Sequence, residues 1–204
     1  MIKYDLLVIG FGKAGKTLAA TFGNEGKKVA VVEESSEMYG GTCINIGCIP
    51  TKTLIVAADN KKEFKEAKAT RDTVVSKLNA KNFAMLDNNP NIDVYTASAK
   101  FVSNKVVEIS IDGETKQLEG DIVVINTGAK NNVLPIQGLT TSKNVYDSTQ
   151  LQKLEVAPKT LGIIGGGNIG IEFANLYARF GVDVTVIDFA PTVLGREDKD
   201  IAEM

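Results

Sequence analysis

The sequence predicts an α/β protein: a Rossmann-like fold with an inserted β-meander, followed by the first βαβ unit of a second Rossmann-like fold. Three observations predict it. A run of strand, glycine-rich turn, apolar helix and acid-tipped strand occurs twice, over residues 4–33 and again over 161–188. Between the copies lie short alternating segments around a tight-turn dipeptide, Asp112-Gly113. The composition, 44% hydrophobic and 24% charged over 204 residues, is that of an ordinary globular chain of one or two domains.

The first unit begins with Tyr4–Ile9, an apolar run that reads as a buried strand and leads into Gly10-Phe-Gly12-Lys-Ala-Gly15. A helix with Ala14, Leu18 and Phe22 on one face follows, then Gly26 and a strand from Val29 to Val32 that ends in Glu33. Placed after a strand, before a helix and about 20 residues ahead of an acid, the G-x-G-x-x-G run is a dinucleotide fingerprint. Gly10 makes the tight turn, Gly12 lets backbone approach a pyrophosphate, and Gly15 lets the helix pack closely. The pyrophosphate then rests on a helix N-terminus, and Glu33 accepts hydrogen bonds from a ribose.

Residues 54–87 read as helix with a break or two. Short strands are expected at Ile92–Tyr95, Lys100–Val102, Val106–Ile111 and Thr115–Leu118, then a buried strand at Ile122–Asn126 running into Thr127-Gly128-Ala129. Residues 138–160 are the best linker. The second unit repeats the first: strand Leu161–Ile164, Gly165-Gly-Gly167-Asn-Ile-Gly170, a helix with an Ile169, Phe173, Tyr177, Phe180 stripe, and strand Val182–Ile187 closed by Asp188. Two such sites suggest two dinucleotides, an electron donor and a bound carrier. Asp188 would bond an unphosphorylated ribose and repel a 2′-phosphate, which favours NADH over NADPH.

Both cysteines, Cys43 and Cys48, sit in Gly40-Gly-Thr-Cys-Ile-Asn-Ile-Gly-Cys-Ile-Pro-Thr-Lys52, where a helix should be starting. An ideal helix would hold their Cα atoms roughly 8–9 Å apart, beyond the about 7 Å that a disulfide spans. If the two are bridged, the chain between them leaves ideal helix, with Gly40, Gly41 and Gly47 giving the freedom. So short a loop would stabilise little, which points instead to a reactive pair whose thiol pKa is lowered by a helix N-terminus. Buried core thiols and a structural staple are the competing readings. A zinc site is disfavoured, because two cysteines and no histidine fall short of four ligands.

The formal charge of −2 gives no footing for nucleic-acid binding, and no apolar run approaches the roughly 18 residues of a membrane span. With no signal segment, the chain is expected to be soluble and cytoplasmic. The Lys61–Lys81 stretch reads as a solvated helix face.

With these motifs placed, the chain resembles the flavoprotein disulfide reductases, class I, over its whole length. Gly10–Gly15 with Glu33 is similar to that family's FAD pyrophosphate and ribose site, Gly40–Lys52 to its redox-active disulfide signature, Asn126–Ala129 to its second flavin motif, and Gly165–Gly170 to its pyridine-nucleotide site. Within the family, Gly-Phe-Gly-Lys-Ala-Gly-Lys-Thr-Leu, Met38–Cys48 and Arg196-Glu-Asp-Lys-Asp-Ile are most similar to the bacterial reactive-chlorine-resistance reductase branch, near the mercuric reductases.

The resemblance implies that Cys48 is the flavin-side thiolate, Cys43 the interchange thiol, Lys52 a neighbour of flavin N5, and Glu172 its partner. Implied cofactor contacts are Gly10, Gly12, Gly15, Glu33, Gly41, Thr42, Lys52, Thr127 and Gly128 for FAD, and Gly165, Gly167, Gly170 and Asp188 for NADH; no resident metal is implied. Residues 1–145 are expected to form the FAD-binding domain, and 146–204 an incomplete start of the NAD-binding domain.

Where relatives carry a tyrosine lid over the flavin, this chain has Asn168, which cannot cover an aromatic ring. The family extends for roughly as many residues again, through a dimer-forming domain that donates a histidine. The expected parent is therefore a homodimer, passing electrons from NAD(P)H through FAD to the Cys43–Cys48 disulfide and on to copper(II) or another metal ion, a small disulfide or a quinone. One alternative is a truncated nucleotide-binding module without turnover. Another is a flavin enzyme with a merely structural disulfide.

Overall fold

A computed structural model describes residues 1–203. They fall into two compact units, residues 1–49 with 74–131, and residues 50–73 with those from 132 onward. The division differs from a boundary at 145/146 because Leu54, Ala57, Phe64 and Ala67 join a core with Leu151, Phe173, Leu176 and Tyr177. Apolar spacing shows that these positions are buried, but not against what.

The first unit is a six-stranded sheet. Its strands are β1 (Ile2–Ile9), β2 (Val29–Glu33), β3 (Ile92–Thr96), β4 (Ala99–Ser103), β5 (Val106–Ile111) and β6 (Glu114–Ile125). The order is β3-β2-β1-β6-β5-β4. The first four in that order run parallel, and β6-β5-β4 form the antiparallel meander. On β1, Leu6 and Val8 face one core and Leu7 and Ile9 the other, so both faces are covered and the strand is apolar throughout.

Two of the expected strands are one. The expected strands stop at Leu118 and restart at Ile122, yet β6 runs straight through Glu119-Gly120-Asp121. Gly120 is needed because a Cβ there would lie 2.6 Å from Leu7 Cβ. Nor is the second half of β6 buried: Ile125 is 68% exposed. β5 pairs only with Glu114–Glu119, leaving the rest of β6 with β1 on one side and open sheet edge on the other.

Helix α1 (Lys13–Asn24) connects β1 to β2, and it buries Gly15, Ala19 and Gly23. Ala14 is exposed, and Leu18 and Phe22 only partly buried, so the true contact stripe is offset from the apolar one. The reason is close approach: a Cβ on Gly15 would meet Val8 Cγ1 at 2.6 Å, and one on Gly23 would meet Ile92 Cδ1 at 2.6 Å. After β2 come a 3₁₀ turn at Ser36–Met38, the short α2 (Thr42–Asn45), α3 (Cys48–Asp59) and α4 (Phe64–Asp87). The expected helical region thus has one break within it, at residues 60–63.

The second unit holds a parallel pair, β7 (Thr160–Ile164) and β8 (Asp183–Ile187), joined through α6 (Asn168–Arg179). It also contains the short helices α5 (Ser148–Leu151) and α7 (Lys199–Ala202). A reciprocal capping box, Asp147 with Gln150, opens α5. Its last carbonyls are taken by side chains: Tyr177 Oη donates to Leu151 O at 2.7 Å, and Arg71 donates to Gln152 O. Phe173 and Tyr177 are buried as the stripe on α6 predicts, but Ile169, in the first turn, is exposed. Ile164 and Ile187, at the ends of the two strands, are also more than half exposed. No helix among the described residues is long and apolar enough to cross a membrane.

Candidate active site and its relatives

The first glycine loop follows β1 at the carboxyl edge of the sheet. Gly10 has φ +101°, and its N–H donates to Val32 O at 2.7 Å. A Cβ there would lie 2.2 Å from Asn126 O, so only glycine fits the turn. Gly12 caps α1 without any side-chain hydrogen bond, leaving the first amides of a 12-residue helix for an anion. Gly15 provides the close helix–strand contact described above.

Glu33, at the tip of β2, accepts from Phe11 N at 2.8 Å and from Ser35 N at 3.1 Å. Each carboxylate oxygen has a second lone pair for a ribose hydroxyl. Phe11 itself is fully buried, its ring 5.1 Å from that of Tyr39, which anchors the loop to the core.

Two further segments meet this loop. Gly41, at φ +76°, stands so close to Gly12 that a Cβ would lie 2.6 Å from Gly12 Cα. Thr42 follows as the first residue of α2. From β6, Asn126 N–H donates to Ile9 O at 2.7 Å, which sets Thr127 and Gly128 beside the loop. Asn126 Nδ2 donates to Gly10 O at 3.2 Å and Gly12 O at 3.1 Å. Sequence reading places Asn126 in the second flavin motif but gives its side chain no task, because a polar residue before Thr-Gly is an ordinary turn signal. The residues present fit a dinucleotide pyrophosphate: a bare helix N-terminus, glycines where a Cβ would collide, and a carboxylate at the tip of the neighbouring strand.

The cysteines lie on the same segment as Gly41. Cys43 is in α2, Ile46 and Gly47 leave helical geometry, and Cys48 opens α3. The two are thiols and not a disulfide here, Cys43 half-buried and Cys48 exposed, and Cys43 shares a hydrogen bond with Cys48. The Cys43 thiol is pushed up, against the expected lowering. Its hydrogen bond to the Cys48 side chain holds the proton, burial and the Cys48 charge add to this, and the Lys13 ammonium and the Cys48 backbone amide oppose it only in part. The neighbouring sulfur is the first cause of the rise.

Lys52 follows Cys48 by one turn of α3. Its Nζ lies 2.8 Å from Glu172 Oε1 on α6, joining the two residues. Burial alone would raise the Glu172 carboxyl, but hydrogen bonds from Lys52 and Thr51 and the Lys52 charge hold it below the usual carboxylate range. With the lysine side chain 60% exposed, the pair is worth at most about 1 kcal/mol to stability, so its value is orientation.

The second glycine loop repeats the first. Gly165, at φ +112°, donates to Ile187 O at 2.8 Å, Gly167 caps α6, and a Cβ on Gly170 would meet Gly165 O at 1.9 Å. Asp188 accepts from Gly166 N at 2.6 Å and Ala190 N at 2.8 Å, as Glu33 accepts from Phe11 and Ser35. Those backbone amides hold the half-buried Asp188 carboxyl below its usual range, and hence ionised. Asn168 donates to Glu197 at 2.9 Å.

A family model described as pyridine nucleotide-disulphide oxidoreductase matches residues 4–204. The chain is 49% identical over 203 residues to the Escherichia coli K12 protein "Probable pyridine nucleotide-disulfide oxidoreductase RclA", covering 100% of this chain and 46% of that protein. It is 34% identical over 221 residues to dihydrolipoyl dehydrogenase of Thermus scotoductus, again 100% and 46%. Among solved structures it matches the Cu(II) complex of the HOCl-induced flavoprotein disulfide reductase RclA from Escherichia coli, with a TM-score of 0.96 at 49% identity over 100% of this chain and 46% of that one. The chain therefore spans 46% of the length of these relatives. On this sequence and fold agreement, the chain belongs to the pyridine nucleotide-disulphide oxidoreductase family, with flavoprotein disulfide reductases as relatives.

Proposed function

We propose that the chain carries the FAD site, the redox cysteines and a pyridine-nucleotide loop of an NAD(P)H-dependent oxidoreductase. The observation that carries this is the Cys43–Cys48 hydrogen bond on a segment whose Gly41 backbone abuts Gly12 of the first glycine loop. FAD, when bound, supplies the step between a two-electron hydride donor and the sulfur pair. The chain's own part is thiol chemistry. The Cys43–Cys48 disulfide takes two electrons and two protons to become the dithiol. The dithiol then gives two electrons to an acceptor and releases the protons as the S–S bond reforms. Copper(II) is a suitable acceptor, since soft thiolates favour copper(I) and two copper ions balance one disulfide; one small disulfide or one quinone would instead take both electrons together with the two protons. Cys43 holds its proton toward Cys48, which supports Cys48 as the sulfur that faces the flavin and Cys43 as the one that meets the acceptor.

Anaerobic reductant titration, followed in the visible range, tests the reading. A long-wavelength charge-transfer band growing at the two-electron stage is expected from a Cys48 thiolate against the flavin. Flavin without the band would overturn the redox role of the pair. A second reading, a nucleotide-binding module without turnover, is favoured by the exposed Ile164 and Ile187 of the two-stranded second unit. It predicts bound flavin with no NADH oxidation.

The ionised Asp188 favours NADH as donor, since it can accept from a ribose hydroxyl but repels a 2′-phosphate. Asp188→Ser should weaken NADH by about ten-fold or more, the worth of hydrogen bonds to a charged group, and raise relative acceptance of NADPH. Comparing kcat/KM for the two nucleotides checks this, and an unchanged ratio would remove Asp188 from the specificity argument.

A further inference from the structure

We propose that Asn126 is a positioning residue for the first glycine loop. On this view its side-chain amide fixes the two peptide planes through which the loop holds Glu33 and receives a pyrophosphate. The inference rests on reading that loop as the FAD site, and it adds a residue outside the glycine motif.

The geometry is specific. Both partners of Asn126 Nδ2 are carbonyl oxygens, Gly10 O at 3.2 Å and Gly12 O at 3.1 Å, so the amide must present its NH₂ to the loop. In a planar trans peptide, the C=O of one residue and the N–H of the next point in opposite directions. Turning the Gly10 carbonyl toward Asn126 therefore aims Phe11 N–H away from it, and that N–H is the one found on Glu33 Oε2 at 2.8 Å. Turning the Gly12 carbonyl the same way aims Lys13 N–H outward at the start of α1, where an anion is received. Gly12 O also accepts Lys16 N at 2.9 Å, so this plane is held from both the helix and the sheet.

Space agrees with this. A Cβ on Gly12 would lie 2.9 Å from Asn126 Nδ2, and one on Gly15 would lie 2.6 Å from it. The glycines of the motif make room for the amide as well as for a ligand. Asn126 is itself fixed, because its backbone N–H continues the β1–β6 ladder onto Ile9 O at 2.7 Å.

The test uses two readouts on the purified chain. The first is hydrogen exchange at the Phe11 amide without ligand, and the second is FAD affinity by flavin fluorescence. Asn126→Leu keeps the volume and removes the donor. It should cost about ten-fold or more in both Phe11 protection and FAD affinity, with Leu7 exchange in β1 unchanged. Asn126→Asp should bind FAD more weakly than the leucine variant, because a carboxylate would face two carbonyl oxygens beside a phosphate. If the leucine variant does not fold, Asn126→Ala, which cannot clash, decides the matter. Phe11 exchange and FAD affinity both within about two-fold of the parent, less than one hydrogen bond is worth, would overturn the proposal. If the parent binds no FAD, the cofactor reading fails for this chain, while Phe11 exchange still decides the role of Asn126.

Discussion

Replacing Cys48 with serine is expected to abolish two-electron uptake at the cysteine pair and to make Cys43 more acidic. The first effect is stoichiometric: serine offers no sulfur to bridge, so neither disulfide nor dithiol exists and the charge-transfer band is lost. The second follows from what holds the Cys43 proton. Its thiol is raised first by the hydrogen bond to the Cys48 side chain, then by burial, then by the Cys48 charge, with Lys13 and the Cys48 backbone amide pulling the other way. Serine removes the charge, and its hydroxyl can donate to a Cys43 thiolate rather than only accept from the thiol. The Lys13 charge and the backbone amide of residue 48, which serine keeps, then act against burial alone. Since the thiolate is the reacting form, each unit of lowering raises the thiolate fraction roughly ten-fold below the pKa, and the alkylation rate by about three-fold once the weaker nucleophilicity of a more acidic thiol is counted. Iodoacetamide should therefore modify Cys43 several-fold faster at neutral pH in the variant than in the reduced parent. An equal or slower rate would mean that the two sulfurs do not share a proton. Cys43→Ser serves as the comparison, losing the couple while leaving Cys48 to be alkylated.

The parts of the fold legible in the sequence are those where only one residue type fits. Gly10 and Gly165 stand at φ +101° and +112°, and glycine after an apolar run is an unambiguous signal for such a turn. Glu33 and Asp188 were readable from spacing alone, and the structure gives both the same clasp onto the second residue of their glycine loops. What stayed hidden depends on partners distant in sequence. Asn126 reaches back 116 residues to Gly10. Gly120 falls between two expected strands and is instead where β6 passes close over Leu7. The buried stripe of α1 consists of Gly15, Ala19 and Gly23, because close helix–sheet approach selects small residues over the larger ones a hydrophobic pattern points to. The direction of the Cys43 shift was likewise out of reach, since it depends on where the second sulfur sits and not on the helix start that the sequence marks.

Gly10→Ala is expected to be among the most destabilising single methyl additions in the chain. Two costs combine. At φ +101° an L-residue is strained by roughly 1–3 kcal/mol. The new Cβ would also lie 2.2 Å from Asn126 O and 2.7 Å from Asn126 C, both backbone atoms of a strand end that is hydrogen-bonded to Ile9 and cannot swing aside. Overpacking of that kind costs about 1–3 kcal/mol more. Together these take roughly 2–6 kcal/mol from a domain whose whole stability is on the order of 5–15 kcal/mol. At about 2–4 °C per kcal/mol for a chain of this size, the unfolding midpoint should fall by roughly 4–24 °C. Any movement that relieves the clash separates β1 from β6 just where the glycine loop leaves the sheet, so dinucleotide binding should fail even below the midpoint. Gly26→Ala isolates the backbone cost, because Gly26 also has positive φ, +79°, but nothing lies within 4 Å of its added Cβ. Gly170→Ala, whose Cβ would meet Gly165 O at 1.9 Å, repeats the clash in the second unit without positive φ. Thermal unfolding of the three variants should rank Gly10→Ala well below Gly26→Ala. Were the two to unfold at the same temperature, the contact between the Gly10 turn and the end of β6 would be absent, and the placement of Thr127 and Gly128 beside the loop would go with it.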